Sequence, residues 1–211
     1  MNFSFSCIIP TYNEGDWLVK TVDSLREAAD GYELEIIVID DWGDDGSVEN
    51  VRDKSRVIKS PNKNSGVIIN RNLGARESKN DILVFVDSHV LVEKSFFDEL
   101  SASFNELGTN IMLGCNILDT KYLDKPQHHG CKYSYTVQNI ELSAYWFNYP
   151  AAETPKHKKA PCLATGCIAI PEEHFDAVGG FNSSMRFWGE GLRIKPQELP
   201  HGFRKLCEPR Y

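Results

Sequence analysis

Several things this sequence lacks narrow what it can be. Its six cysteines, at 7, 115, 131, 162, 167 and 207, form no Cys-x-x-Cys pair, so neither a paired-cysteine zinc site nor a dithiol redox motif is present. Most lie in apolar stretches such as SCII and LGCNI, the setting of buried free thiols. A zinc site drawn from His128, His129, Cys131 and Cys162 would have no standard spacing. No apolar run reaches the length of a membrane span, and the start MNFSFSCIIP has neither the basic opening nor the cleavage site of a signal peptide. The expectation is a cytoplasmic protein with no transmembrane segment, peripheral membrane contact being left open. Positive charge is short as well. With 23 Lys and Arg against 30 Asp and Glu, the net charge is −7, which argues against nucleic acid as a partner. An acidic protein that handles an anionic ligand needs a local device, such as a bound cation or a helix N-terminus. Internal repeats and low-complexity tracts are missing too.

What is present alternates. FSCIIP (5–10) is a short apolar run stopped by proline, and LEIIVID (34–40) is a second run rich in β-branched residues; both suit buried strands. Between them Leu18, Val22 and Leu25 recur at helical spacing up to Gly31, so the segment is a βαβ unit with parallel pairing. RVIKS (56–60) and ILVFVD (82–87) read as further strands, with helices over 66–79 and around 95–107. IMLGCNI (111–117) and ATGCIAI (164–170) read as strands, and PEEHFDAVGG as a short helix with Pro171 in its first turn. The fold class is α/β, an open and mostly parallel sheet with flanking helices. After Ile117 the composition turns to Tyr, Trp, His, Lys and Pro, which divides the chain into an α/β half (1–118) and a second region (119–211).

Ligands of open α/β sheets bind beyond the carboxyl ends of the strands. Three strands end there in polar clusters: Thr11-Tyr12-Asn13-Glu14, Asp40-Asp41 and Asp87-Ser88-His89. Converging carboxylates are costly unless something neutralises them, and a divalent cation or a ligand rich in donors would do so. In extended backbone Asp87 and His89 share a side. A carboxylate with an imidazole suits manganese better than magnesium, which prefers oxygen alone. The same residues also suit plainer roles. Asp-x-His at a strand end is common turn chemistry, and paired aspartates after a strand commonly cap the next helix.

Taken in order, CIIPTYNE, EIIVIDDWGDDGS and NSGVIINRNLGARESKNDILVFVD resemble the motifs of family 2 nucleotide-sugar glycosyltransferases of the GT-A fold. Trp42 stands where that family usually has glycine. The spacing GVIINRNLGA to LVFVDSHV, the block PCLATGCIAIPEEHFDAVGGFNSSMRFWG and the segment PHGFRK are similar to the polypeptide N-acetylgalactosaminyltransferases, which use Asp-x-His where most relatives use Asp-x-Asp. The resemblance implies a Rossmann-like nucleotide-binding half and an acceptor-side region within one GT-A domain. It places Thr11, Tyr12 and Glu14 around uracil and ribose, with Asp40 or Asp41 accepting from the uracil imide. It sets Arg71 at the nucleotide or its phosphates, Ser88 in the donor site, Arg204 near the phosphates, and Gly166 and Trp188 beside the sugar. Asp87, His89 and His201 become ligands of Mn2+ (or Mg2+).

The resemblance breaks after Trp188. This chain reads FWGEGLRIKPQELPHGFRK, and roughly one helix, on the order of fourteen residues, is missing between Gly189 and His201. Relatives carry a Glu-Asp or Glu-Asn pair there, and Gly191 stands in the second place, which leaves Glu190 as the nominated catalytic carboxylate. The implied activity is metal-dependent transfer of a sugar from a UDP-sugar to a peptide, glycan or lipid-linked acceptor. The alternatives are a shortened, catalytically weak nucleotide-sugar binding protein and, third, a sugar nucleotidyltransferase. That last enzyme would want a glycine-rich, basic phosphate loop after the first strand, and PTYNEGDW supplies none.

Overall fold

The computed structural model describes residues 3–115, 132–138, 141–147, 157–159, 163, 165–184 and 204–207. β1 (Phe5–Thr11), β2 (Leu34–Asp40), β3 (Arg56–Lys59), β4 (Ile82–Val86) and β5 (Ile111–Gly114) alternate with α1 (Asp16–Ala28), α2 (Val67–Arg76) and α3 (Phe96–Leu107). A hairpin follows, β6 (Lys132–Gln138) with β7 (Glu141–Phe147). Then come β8 (Lys158–Lys159), β9 (Cys167–Pro171), α4 (Glu172–Ala177) and β10 (Arg204–Cys207).

The main sheet has eight strands in the order β3-β2-β1-β4-β9-β5-β10-β8. β3, β2, β1 and β4 pair in parallel, whereas β9 runs antiparallel between β4 and β5. Strands from both halves of the chain thus enter one sheet. Side-chain alternation divides the core in two. Phe5, Cys7, Ile9, Val84 and Val86 pack beneath Leu18, Val22 and Leu25 of α1 and Phe97 and Phe104 of α3. Ile8, Leu83 and Phe85 face the other way, toward Ile68 and Ala75 of α2 and Phe175 of α4. Helix α2 lies close to the sheet: a Cβ on Gly74 would fall 2.3 Å from Cγ2 of Ile8, so only glycine fits there. Cys7 and Cys167 are buried and free, and burial pushes the Cys7 thiol far above its ordinary range, which makes it inert packing.

Most boundaries fall where periodicity puts them. Several expectations shift: the helix expected over 66–79 ends at Arg76, and the strand expected over 111–117 ends at Gly114. The strand expected over 164–170 starts three residues later, at Cys167, because Thr165 and Gly166 form a turn. Pro171 closes that strand and serves as the N-cap of α4 instead of sitting in its first turn. The direction of β9 had no signal in sequence, since an apolar run reads the same either way.

Candidate functional site

Parallel pairing brings the ends of β1, β2 and β4 to one edge of the sheet, with Thr11 in register with Asp40. Thr11 is only 3% exposed, and its Oγ1 has no hydrogen-bond partner among the described residues. Its carbonyl accepts from the Asp41 N–H at 2.9 Å. A buried hydroxyl without a partner is costly unless a ligand or water completes it.

The neighbouring aspartates have different tasks. Asp41 Oδ1 accepts from the Ser65 N–H at 2.9 Å, and its Oδ2 accepts from the Gly66 N–H at 3.0 Å. It therefore caps α2 from a distant loop, satisfying donors at a helix N-terminus. Asp40 Oδ1 accepts from the Gly43 N–H at 2.9 Å and closes its own turn. With both its oxygens already engaged, Asp41 is the poorer of the two acceptors for a ligand, and it also fills the helix end that could have received a phosphate.

At β4 the arrangement is ionic. Arg71 Nη2 donates to Asp87 Oδ1 at 2.7 Å and to the Thr165 carbonyl at 2.8 Å. Its guanidinium carbon lies 5.9 Å from the ring centre of Phe181, within cation–π range. Arg71 is 0% exposed and lies behind Asp87, holding its carboxylate. The Asp87 N–H donates to the Gly166 carbonyl at 2.9 Å, which brings Gly166 beside Asp87. Ser88 is buried, and its carbonyl accepts from Thr21 Oγ1 at 3.0 Å. His89 Nδ1 sits 3.3 Å from Glu14 Oε2, so Glu14 braces the imidazole. Tyr12 stands out at 48% exposed.

Each of these carboxylates finds a donor within the protein: backbone N–H groups for Asp40 and Asp41, Arg71 for Asp87, and the His89 ring for Glu14. The convergence of acids therefore does not by itself require a cation. No group of three or more metal-ligating side chains occurs among the described residues. Asp87 and His89 nevertheless suit a divalent ion. A carboxylate has about four lone-pair positions, and a histidine braced at one ring nitrogen presents the other, the usual arrangement of a metal-binding imidazole.

Other expected residues are not brought to this edge. Arg204 opens β10 and pairs with Ile111, the first residue of β5, at the opposite end of the strands from Asp87. Its backbone is therefore remote from the cluster. Trp188, Glu190 and His201 lie outside the described residues. Sequence reasoning missed the Arg71–Thr165 bond, the Glu14–His89 pair and a two-way clamp in which Asn72 Nδ2 donates to the Phe181 carbonyl while the Phe181 N–H donates to Asn72 Oδ1, each at 2.9 Å. None of these pairings has a local signal, because each joins residues from separate parts of the chain.

Residues 6–178 match the model of glycosyl transferase family 2. The chain belongs to glycosyl transferase family 2. Within this family it is 28% identical, over 207 residues, to polypeptide N-acetylgalactosaminyltransferase 11 of Xenopus tropicalis, covering 90% of this chain and 34% of that protein. It spans about a third of the length of the curated relatives it matches. The crystal structure of GalNAc-T7 with UDP, GalNAc and Mn2+ superposes with TM-score 0.73 at 20% identity, covering 99% of this chain and 43% of that one. The mannosyltransferase PcManGT from Pyrobaculum calidifontis in complex with GDP-Man and Mn2+ gives 0.66 at 18% identity, covering 99% and 55%. At these identities the structures show the shared fold, which is GT-A.

Proposed function

We propose that this family 2 chain binds a UDP-sugar through a divalent cation and transfers the sugar, an N-acetylhexosamine, to a polypeptide. The observation that carries the reading is a pair of braced metal-ligand candidates on one sheet edge, Asp87 held by Arg71 and His89 held by Glu14, beside the Thr11 hydroxyl, which has no partner among the described residues. The names of the similar proteins support the donor and acceptor classes.

Asp87 and His89 would hold the ion, with His201 as the third ligand that the resemblance implies. Bound there, Mn2+ would offset charge on the departing diphosphate. Arg71 fixes the rotamer of Asp87 by tying its carboxylate to the Thr165 carbonyl. Glu14, by accepting from Nδ1–H, leaves the Nε2 lone pair of His89 for coordination. Thr11 Oγ1 supplies a donor and an acceptor to the nucleotide. Asp40, with one oxygen on Gly43, retains acceptor capacity for a ring N–H, which uracil offers as an imide and guanine as a lactam and which adenine lacks on its pairing edge.

In the loop after β1 the Gly15 N–H is taken by the Asp45 carboxylate, which weighs against the nucleotidyltransferase alternative, since that enzyme needs a backbone cradle for phosphate there. Binding without transfer is the second reading, and the short stretch from Gly189 to His201 with Gly191 in place of an acid favours it. Calorimetric titration of UDP and GDP, with Mn2+ or with chelator, tests both. UDP affinity is expected to depend on Mn2+ and to fall about tenfold or more in His89→Ala, the range for losing a metal ligand or its support. Equal affinity in chelator would remove the metal. Transfer from UDP-N-acetylgalactosamine to a serine- and threonine-rich peptide then separates an enzyme from a binding protein.

A further inference from the structure

Trp42 adopts φ +69°, a left-handed conformation that a bulky side chain rarely takes and that glycine takes freely. It lies at the tip of the turn closed by Asp40 Oδ1 and the Gly43 N–H. The next residue, Gly43, packs so closely on the loop after β1 that an added Cβ would meet Asn13 Oδ1 at 2.8 Å. Asn13 is itself left-handed, at φ +53°, and is locked by a reciprocal pair of bonds to Asp44, Nδ2 to Oδ1 at 2.9 Å and the Asp44 N–H to Oδ1 at 2.8 Å. The indole is held on its other side. Nε1–H donates to the Ser60 carbonyl at 3.0 Å, and Lys59 Nζ lies 3.9 Å from the ring centre. Despite this anchoring, Trp42 remains 39% exposed.

A large aromatic ring is thus held rigidly in a strained backbone, pinned at its edge and on one face, two residues from Asp40, which is in register with Thr11. Strain of this kind persists only where surrounding structure imposes it, and it gathers at ligand sites. We infer that Trp42 is the stacking wall for the donor's nucleobase, presenting its open face to a base whose edge Asp40 reads. This deepens the proposed function and rests on the donor being a nucleoside diphosphate. The stacking is indifferent to which base is bound, since every base offers a π-face. It therefore supplies affinity, while Asp40 supplies the choice of base.

The test is calorimetric titration of UDP and of inorganic diphosphate, both with Mn2+, into the whole chain as wild type, Trp42→Phe, Trp42→Gly and Trp42→Asn. Glycine and asparagine both accept the left-handed backbone, so two non-aromatic variants guard against a fold defect, and their melting temperatures should equal or exceed wild type. Expected are a loss of about tenfold in UDP affinity for both, most of it retained in Trp42→Phe, and unchanged diphosphate affinity throughout. UDP affinity equal to wild type in Trp42→Gly would overturn the stacking role and leave the donor reading intact. Equal losses for UDP and diphosphate would also overturn it, since the ring would then act through the loop and not on the base. Wild type binding diphosphate but not UDP would overturn the donor reading together with this one.

Discussion

The two ends of the site edge are built differently. On the β1–β2 side the loops are tied by many short bonds between side chain and backbone: Asp40 to Gly43, Asp41 to Ser65 and Gly66, Asn13 to Asp44, and the Gly15 N–H to Asp45 Oδ2 at 2.7 Å. Several of these are solvent-exposed, and each contributes only about 1 kcal/mol. On the β4–β9 side one buried cation joins Asp87, the Thr165 carbonyl and the face of Phe181. The first region is distributed, so loss of a single member leaves its shape. The second is concentrated on Arg71, and its geometry is only as good as that residue. A metal ligand gains from the second design, because one strong, short ion pair limits the carboxylate to one rotamer. A base-reading loop gains from the first.

The largest test of this contrast is Arg71→Met. Breaking a buried pair costs about 3–5 kcal/mol, and the lower figure, about 3 kcal/mol, applies here because the Asp87 side chain is 34% exposed. Urea denaturation should show that loss, together with loss of Mn2+-dependent UDP binding. Adding Asp87→Asn to Arg71→Met should restore part of the stability and none of the binding, since the two residues are directly coupled. A loss under about 1 kcal/mol, the level of an ordinary surface ion pair, would show that the pair is not the linchpin of its side.

The sheet was legible because its strands are continuous apolar runs and its first helix repeats at 3.6 residues, as Leu18, Val22 and Leu25 show. The site was legible as a set of strand ends, which parallel topology alone brings together. What could not be read was the partner of each polar group. Asp40 and Asp41 look alike in sequence, yet their uses depend on where the loop over 60–66 returns, a tertiary fact. Arg71 gave no sign of its burial, since an arginine on a short helix is usually exposed. Glu14 and His89 are 75 residues apart and meet only because β1 and β4 are neighbours. The antiparallel entry of β9, which delivers Thr165 and Gly166 to the edge, has no local signature at all.

A middle-sized effect separates the two aspartates. Asp41→Ala leaves the N–H groups of Ser65 and Gly66 without their acceptor, a capping loss of about 1–2 kcal/mol. Asp41→Asn keeps one acceptor oxygen and should lose about half of that. UDP affinity should change little in either. Asp40→Ala should do the reverse, costing about 1 kcal/mol of stability for the Gly43 bond and far more in UDP affinity. Should both alanine variants lose affinity equally, the division of labour between cap and base reader would be wrong.

The smallest effect belongs to the exposed end of the distributed region. The Ser47 hydroxyl and N–H, with the Gly15 N–H, hold the Asp45 carboxyl below its ordinary value. A carboxylate with a depressed folded-state pKa adds stability above its unfolded value, and that increment disappears as pH falls through the folded one. Asp45 is well solvated, so the increment is screened to roughly 0.5 kcal/mol. Ser47→Ala removes the leading cause. The stability gap between wild type and Ser47→Ala should therefore be widest near neutral pH and should narrow as pH falls below about 4. A constant gap would assign the loss to the pH-independent bonds of a buried serine, and Asp45 would then be a fastener whose charge does not matter. A narrowing gap shows that the charge on Asp45, and not its bonds alone, contributes to holding this loop.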